Sequence, residues 1–253
     1  MSIRYLRYAI QIFFLGAITY VALGFGSNGF EAFCPFGGVE ALYGLFTTSN
    51  FTCALAPLNL SIFLGVIGLT IITKRSFCGW VCPIGTINEW ISRLGDKVWP
   101  KRPRIPASAD RYLRLLRYPV LAVVLYFTYR IGDLVFRGYD PFYIIFSGLG
   151  HGTLGYVSYA VMGAFVIGAF FQPMFFCRYF CPLAAALDPF SKIGLMRVSR
   201  NKETCIDCTI CNQKCHFGLE PMVANKVTHR DCVNCLECVE ACPVDNCLEV
   251  KAF

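Results

Sequence analysis

The sequence predicts an all-α transmembrane domain of four helices, built from two parallel two-helix repeats, followed by a small α+β domain. Three observations predict it. Hydrophobic residues make up 56% of the 253 positions, charged residues only 15%, and the mean hydropathy is +0.53. Uncharged runs cover 8–30, 41–73 and 141–177, each long enough to cross a bilayer, which takes about 20 apolar residues. Between Cys205 and Cys242 the pattern C-x2-C-x2-C-x3-C is written twice.

A first helix is expected over about 8–25, behind Arg4 and Arg7. A signal peptide has the same opening, but no small-residue cleavage site follows, so the segment reads as a retained helix. The second helix is expected over about 57–76. The third starts near Leu113, with Arg114 and Arg117 snorkelling to the surface. The fourth runs over about 153–176, with Pro173 bending its end. The apolar stretches 34–50 and 141–153 read as interfacial or re-entrant segments.

The halves repeat one another. Arg4-Tyr5-Leu6-Arg7 recurs as Arg111-Tyr112-Leu113-Arg114, and Cys34-Pro35-Phe36 matches Asp140-Pro141-Phe142. Phe77-Cys78-Gly79-Trp80-Val81-Cys82-Pro83 recurs as Phe176-Cys177-Arg178-Tyr179-Phe180-Cys181-Pro182. Two helices per half make the repeats parallel, related by an axis along the membrane normal. The boundaries follow: a first repeat over 1–110, a second over 111–198, and a C-terminal domain over 199–253 after a linker near 190–203.

Lys and Arg concentrate in 74–117, which holds ten, while 26–57 holds none. Positive residues stay on the cytoplasmic side, so both termini and the C-terminal domain are expected there. This topology accounts for the net charge of +7, and no nucleic-acid partner is expected.

Three thiolates at the spacing of the double motif wrap one cubane while the fourth reaches the neighbouring one. The spacing therefore predicts a bacterial-type ferredoxin with two [4Fe–4S] clusters and crossed ligands. Cys205, Cys208, Cys211 and Cys242 would hold the first; Cys232, Cys235, Cys238 and Cys215 the second. Zinc sites pair C-x2-C units and need no third Cys. With most of the fifteen cysteines used as ligands, a disulfide framework is excluded, and a reducing compartment is implied. Cys247 reads as a packed thiol, the segment from it to Val250 as a brief strand, and His229 as a capping or tuning residue.

The two C-x3-C-P motifs carry the second signal. Four-residue spacing shares one helical face if the segment stays helical, while Pro83 and Pro182 suit the first turn of a new helix. Each motif therefore sits at a break, and the repeat brings both to one membrane face. Cys78, Cys82, Cys177 and Cys181 could converge on a third iron centre; close helix packing by small side chains is the alternative. Cys34 is expected on the opposite face, unable to join them, where it packs, pairs with Cys53 or caps a quinone pocket. Glu40, Asp140 and His151 are candidate proton acceptors for a quinol, each with a structural role as the alternative. With no second His in the membrane part, a bis-His haem is excluded.

These motifs together, with Cys34-Pro35-Phe36-Gly37-Gly38-Val39-Glu40, resemble the NapH-type membrane ferredoxins. The module is similar to the C-terminal half of NosR and to the core of the CcoG/RdxA proteins. The resemblance implies quinol oxidation in a bacterial-type cytoplasmic membrane and electron delivery to a partner redox protein. It implies the quinone pool and other subunits of a membrane complex as partners. His216 departs from the pattern, standing where Pro usually follows the fourth Cys. The flavin-binding extension of NosR and the long C-terminal domain of CcoG have no counterpart, so a full equivalent of either is not expected.

The leading function is therefore an iron–sulfur electron-transfer subunit, with the direction of flow left open by the motifs. Two others compete: a copper-handling or assembly factor using the membrane cysteines, and a redox-sensing interaction subunit. Methionine-rich clusters would support copper handling, yet the chain has only five scattered methionines.

Overall fold

A computed structural model describes residues 3–25, 29–48, 56–100, 105–131, 139–148, 155–223 and 226–252. Among the described residues, eleven α-helices precede the first strand. In the first half these are α1 (Ile3–Tyr20), α2 (Pro35–Thr48), α3 (Ala56–Thr73), α4 (Ser76–Trp80) and α5 (Pro83–Val98). The second half contains α6 (Ala107–Leu113), α7 (Arg117–Ile131), α8 (Pro141–Gly148), α9 (Tyr156–Phe171), α10 (Phe175–Tyr179) and α11 (Pro182–Ile193). After an opening helical segment, the halves run through the same series. A short Pro-led helix is followed by an apolar helix, a five-residue helix and a second Pro-led helix. The stretches read as re-entrant are α2 and α8.

Among the described residues, one helix, Ile3–Gly24, is long and apolar enough to cross a membrane; Pro57–Thr73 and Tyr156–Phe171 are shorter apolar helices. Only 17% of the apolar window in the first is buried. Ile12 and Phe13 on α1, Leu64 and Ile72 on α3, Val123 and Phe127 on α7, and Val157 and Ile167 on α9 all face outward. The inner faces build two cores. Phe36, Val39, Phe63, Val66, Val124 and Leu187 form one; Ile18, Phe30, Ile84, Phe142, Phe146 and Phe165 form the other. Where α2 crosses α3 the backbones nearly touch: a Cβ on Gly38 would lie 2.4 Å from the Asn59 carbonyl oxygen, so only glycine fits.

The C-terminal domain adds β1 (Met196–Arg200), α12 (Ile210–Lys214), α13 (Glu237–Glu240) and β2 (Leu248–Ala252). The strands pair antiparallel, from Met196 with Ala252 to Arg200 with Leu248. β1 thus occupies the stretch read as a linker.

This domain is seated on the helices by buried charge. Arg117 and Arg114 each reach Asp231 at 2.6 Å, and Arg75 reaches it at 3.1 Å. Arg117 also pairs with Asp188 at 2.9 Å, as does Arg75. The expectation that Arg114 and Arg117 snorkel to the surface is therefore wrong: Arg117 is wholly buried and Arg114 nearly so. Arg114 pairs locally with Asp110 at 2.5 Å. Asp231 and Asp188, which neutralise Arg117 and complete the set, lie over 70 residues away in the chain, and no local pattern announces them. Lys74 donates to the carbonyls of Val227 and His229, both at 2.9 Å. Several of the basic residues read as a topology signal thus hold the two parts together.

Candidate metal centres

The C-terminal cysteines gather into two small cavities. One is lined by Cys205, Cys208, Cys211 and Cys242, the other by Cys215, Cys232, Cys235 and Cys238. The sets are crossed as the spacing predicts, with each fourth Cys delivered to the neighbouring cavity. Thr209 and Leu236 take left-handed backbone conformations at φ 61° ahead of α12 and α13, turning the chain inside each triplet. Such conformations are uncommon for residues other than Gly, and their recurrence at matching places marks the same loop built twice.

Burial pushes the Cys235 thiol up to about 12, and it raises Cys215 and Cys232 as well. Thiols so disfavoured as thiolates need a metal's charge to ionise. The donor set thus fits an iron–sulfur group in each cavity. Cys247 is buried against the first cavity, with Sγ 3.9 Å from the Asn201 carbonyl oxygen, as a packed thiol would be. His229 Nδ1 accepts the Asp231 N–H at 3.2 Å, a capping role. His216 meets Glu237 at 3.1 Å beside Arg93, so the residue in place of Pro joins the seat of the domain. Glu237 bridges to Arg7 at 3.0 Å and to Arg93. Burial would raise this carboxyl, but His216, Arg93 and Arg7 outweigh it and hold it at about 2.

Above this domain, Cys78, Cys82, Cys177 and Cys181 line one apolar cavity of about 430 Å³. In each motif the first Cys lies within the five-residue helix, and the second is the N-cap of the helix begun by Pro83 or Pro182. The motif is therefore a break, not one helical face. A Cβ on Gly85 would sit 2.1 Å from the Cys78 carbonyl oxygen, so the break closes only over glycine. Phe217 and Val233, each beside a second-cavity cysteine, also line this cavity. Four convergent thiols in an apolar enclosure fit a metal centre.

Cys34 corrects the expectation: it lines the same cavity. Its Sγ lies 3.9 Å from Asp140 Oδ2, so the matched positions of the two halves meet. The cavity is long enough to reach Cys34 and Asp140 as well as the four C-x3-C-P cysteines. Asp140 Oδ1 accepts the Phe142 N–H at 3.1 Å. Glu40 is buried and accepts from Thr128 at 2.9 Å, outside the cavity lining. His151 and Cys53 lie outside the described residues.

Sequence reasoning missed Arg75, Glu89, Asp188 and Asp231. Glu89 and Asp188 each stand seven residues after the second Cys of their motif. Both are buried and paired with arginine, and aligning the halves at the cysteines would have exposed them.

A helical scaffold of two like halves over a double cysteine fold defines an iron–sulfur protein of the ferredoxin type. A family model described as a 4Fe-4S binding domain matches residues 55–102 and 154–202. Each match contains one C-x3-C-P motif. An uncharacterized protein of Methanocaldococcus jannaschii is 32% identical over 81% of this chain and 88% of its own length. Ferredoxin-type protein NapH of Escherichia coli is 27% identical over 83% of this chain and 80% of its own. A protein named for electron transport, YccM of Escherichia coli, is 28% identical, and the match spans 63% of its length. No solved structure matches. The chain belongs to the NapH-type ferredoxin family, to which NosR is related.

Proposed function

We propose that this chain is a membrane-integral electron-transfer subunit, linking the quinone pool of a bacterial-type cytoplasmic membrane to a partner redox complex. The observation that carries it is the shared packing of three thiol-lined sites. Cys78 and Cys177 pack in one hydrophobic cluster with Cys211 and Cys242 of the first C-terminal set and with Cys215, Cys232, Cys235 and Cys238 of the second. Iron–sulfur groups at these sites would supply one-electron redox chemistry.

The chain's own residues set the order of the sites. Val233 and Phe217 bring the Cys215/Cys232 set against the membrane cavity, which leaves the Cys205 set outermost. Ile206 beside it is 64% exposed, and a partner is expected on that face. The outward apolar side chains of α1, α3, α7 and α9 support four spans, because contiguous exposed apolar surface needs a nonaqueous neighbour. Asp140 supports a quinol site at the far end of the apolar cavity. It would accept a hydroxyl proton from a ring held against Phe36 and Phe142.

Anaerobic iron analysis and reduction by a quinol analogue test this reading. Two clusters require at least about eight iron per chain. Asp140→Asn is expected to keep the iron and lose most quinol-dependent reduction. Zinc in place of iron, or no reduction by quinol with the partner present, would sink the proposal.

A further inference from the structure

The amide of Asn88 faces a cysteine of the membrane cavity. Asn88 lies on α5, is completely buried, and places Nδ2 3.8 Å from Cys177 Sγ. Its Oδ1 has no hydrogen-bond partner among the described residues. Turning the amide over would set this oxygen against the sulfur, which a thiolate repels, so the donor faces Cys177. Among the described residues, Cys177 is the only one of the four C-x3-C-P cysteines whose sulfur receives a side-chain hydrogen bond.

The repeat supplies an internal control. Asn88 stands six residues after Cys82, and the residue six after Cys181 is Leu187, also completely buried. The second half therefore fills the corresponding position with an apolar side chain. A buried amide with an unpartnered oxygen is costlier than leucine, so folding does not explain the polar choice. Hydrogen bonds to a ligating sulfur favour the more negative, reduced form of an iron–sulfur group and raise its potential.

We infer that Asn88 is a positioning residue that raises the redox potential of the centre held by Cys78, Cys82, Cys177 and Cys181, through the hydrogen bond to Cys177. This rests on reading those four cysteines as ligands. It also makes the centre lopsided, since one of two matched thiolates carries the donor and its counterpart Cys78 does not.

The test is a redox titration of the purified full chain followed by electron paramagnetic resonance, beside iron analysis. Asn88→Leu adopts the residue used by the second half; Asn88→Ala repeats the measurement without the added branch. Both are expected to keep wild-type iron and unmoved ferredoxin midpoints, while the midpoint of the membrane centre shifts to lower potential. A midpoint unchanged in both variants overturns the inference, as does a loss of iron in both, which would make the amide structural. Cys177→Ser separates the two levels. If it leaves iron and spectrum as in the wild type, the four-cysteine centre falls and this inference with it. If Cys177→Ser removes iron but the Asn88 variants leave the midpoint unmoved, only the role of Asn88 falls.

Discussion

Asp231 is the residue on which the two parts of the chain depend most. Burial would raise its carboxyl, but Arg117, Arg75 and Arg114 outweigh this and hold it well below the usual carboxylate range. Removing one partner from a buried ion network leaves the others uncompensated, at a cost of about 3–5 kcal/mol. Asp231→Asn is therefore expected to lower thermal stability by that order and to loosen the C-terminal domain, seen as faster hydrogen exchange over β1 and β2. Unchanged exchange there would contradict it. Glu237 gives a pH signature. Its carboxyl is depressed from 4.5 to about 2, so its stabilisation is complete above the unfolded value and is lost as pH falls through the folded one. The stability difference between wild type and Glu237→Gln should shrink as pH falls from about pH 4.5 towards pH 2. A difference that stays flat across that window would refute the network. Neither residue was legible in the sequence, because a carboxylate between cysteines looks like any solvated loop charge until its distant arginines are known. The cysteines were legible, because ligand spacing along the chain sets which thiols can share a cubane.

At the scale of elements, the break within each C-x3-C-P motif matters most. It was readable because Pro83 and Pro182 lack the N–H that a continuing helix needs, and each indeed opens a helix. The short helices α2 and α8 were not readable as such, because an apolar run bounded by Gly and Pro has no polar face to give it a period. The position of Cys34 was misjudged for the same reason. The first break can be tested at Gly85. Gly85→Ala would drive a methyl group into the Cys78 carbonyl, and backbone is the atom least able to yield. The variant is expected to lose the iron of the proposed four-cysteine centre while keeping the spectrum of the C-terminal sites. Full iron occupancy in Gly85→Ala would show that the break does not shape the site.

Over the whole molecule, the duplication was legible from three short matched strings, and the helix order repeats accordingly. What the strings could not convey is that the arginines they contain turn towards the C-terminal domain. Arg7 and Arg114 occupy matching places, and each donates to a carbonyl of that domain: Arg7 to Cys235 at 3.0 Å, Arg114 to Phe217 at 2.8 Å. Both matched arginines therefore meet residues that line the Cys215/Cys232 cavity. Composition alone shows only that such positive charges exist, because their pairing depends on three-dimensional closure.

The arginines around Asp231 also bear on biogenesis. The helices carry Arg75, Arg114 and Arg117 towards a carboxylate that is delivered only when the last fifth of the chain has folded. That fold depends on its metal, as small metal-ligated domains generally do. A nascent chain starved of iron therefore presents buried guanidiniums short of a counter-ion, and the lesion extends into the helical part. Cells grown under iron limitation are expected to clear the whole polypeptide, helices included, several-fold faster than iron-replete cells do, as a pulse-chase would record. Equal lifetimes with and without iron would show that the helices mature without the ferredoxin. Iron supply would thereby set whether the helical part matures.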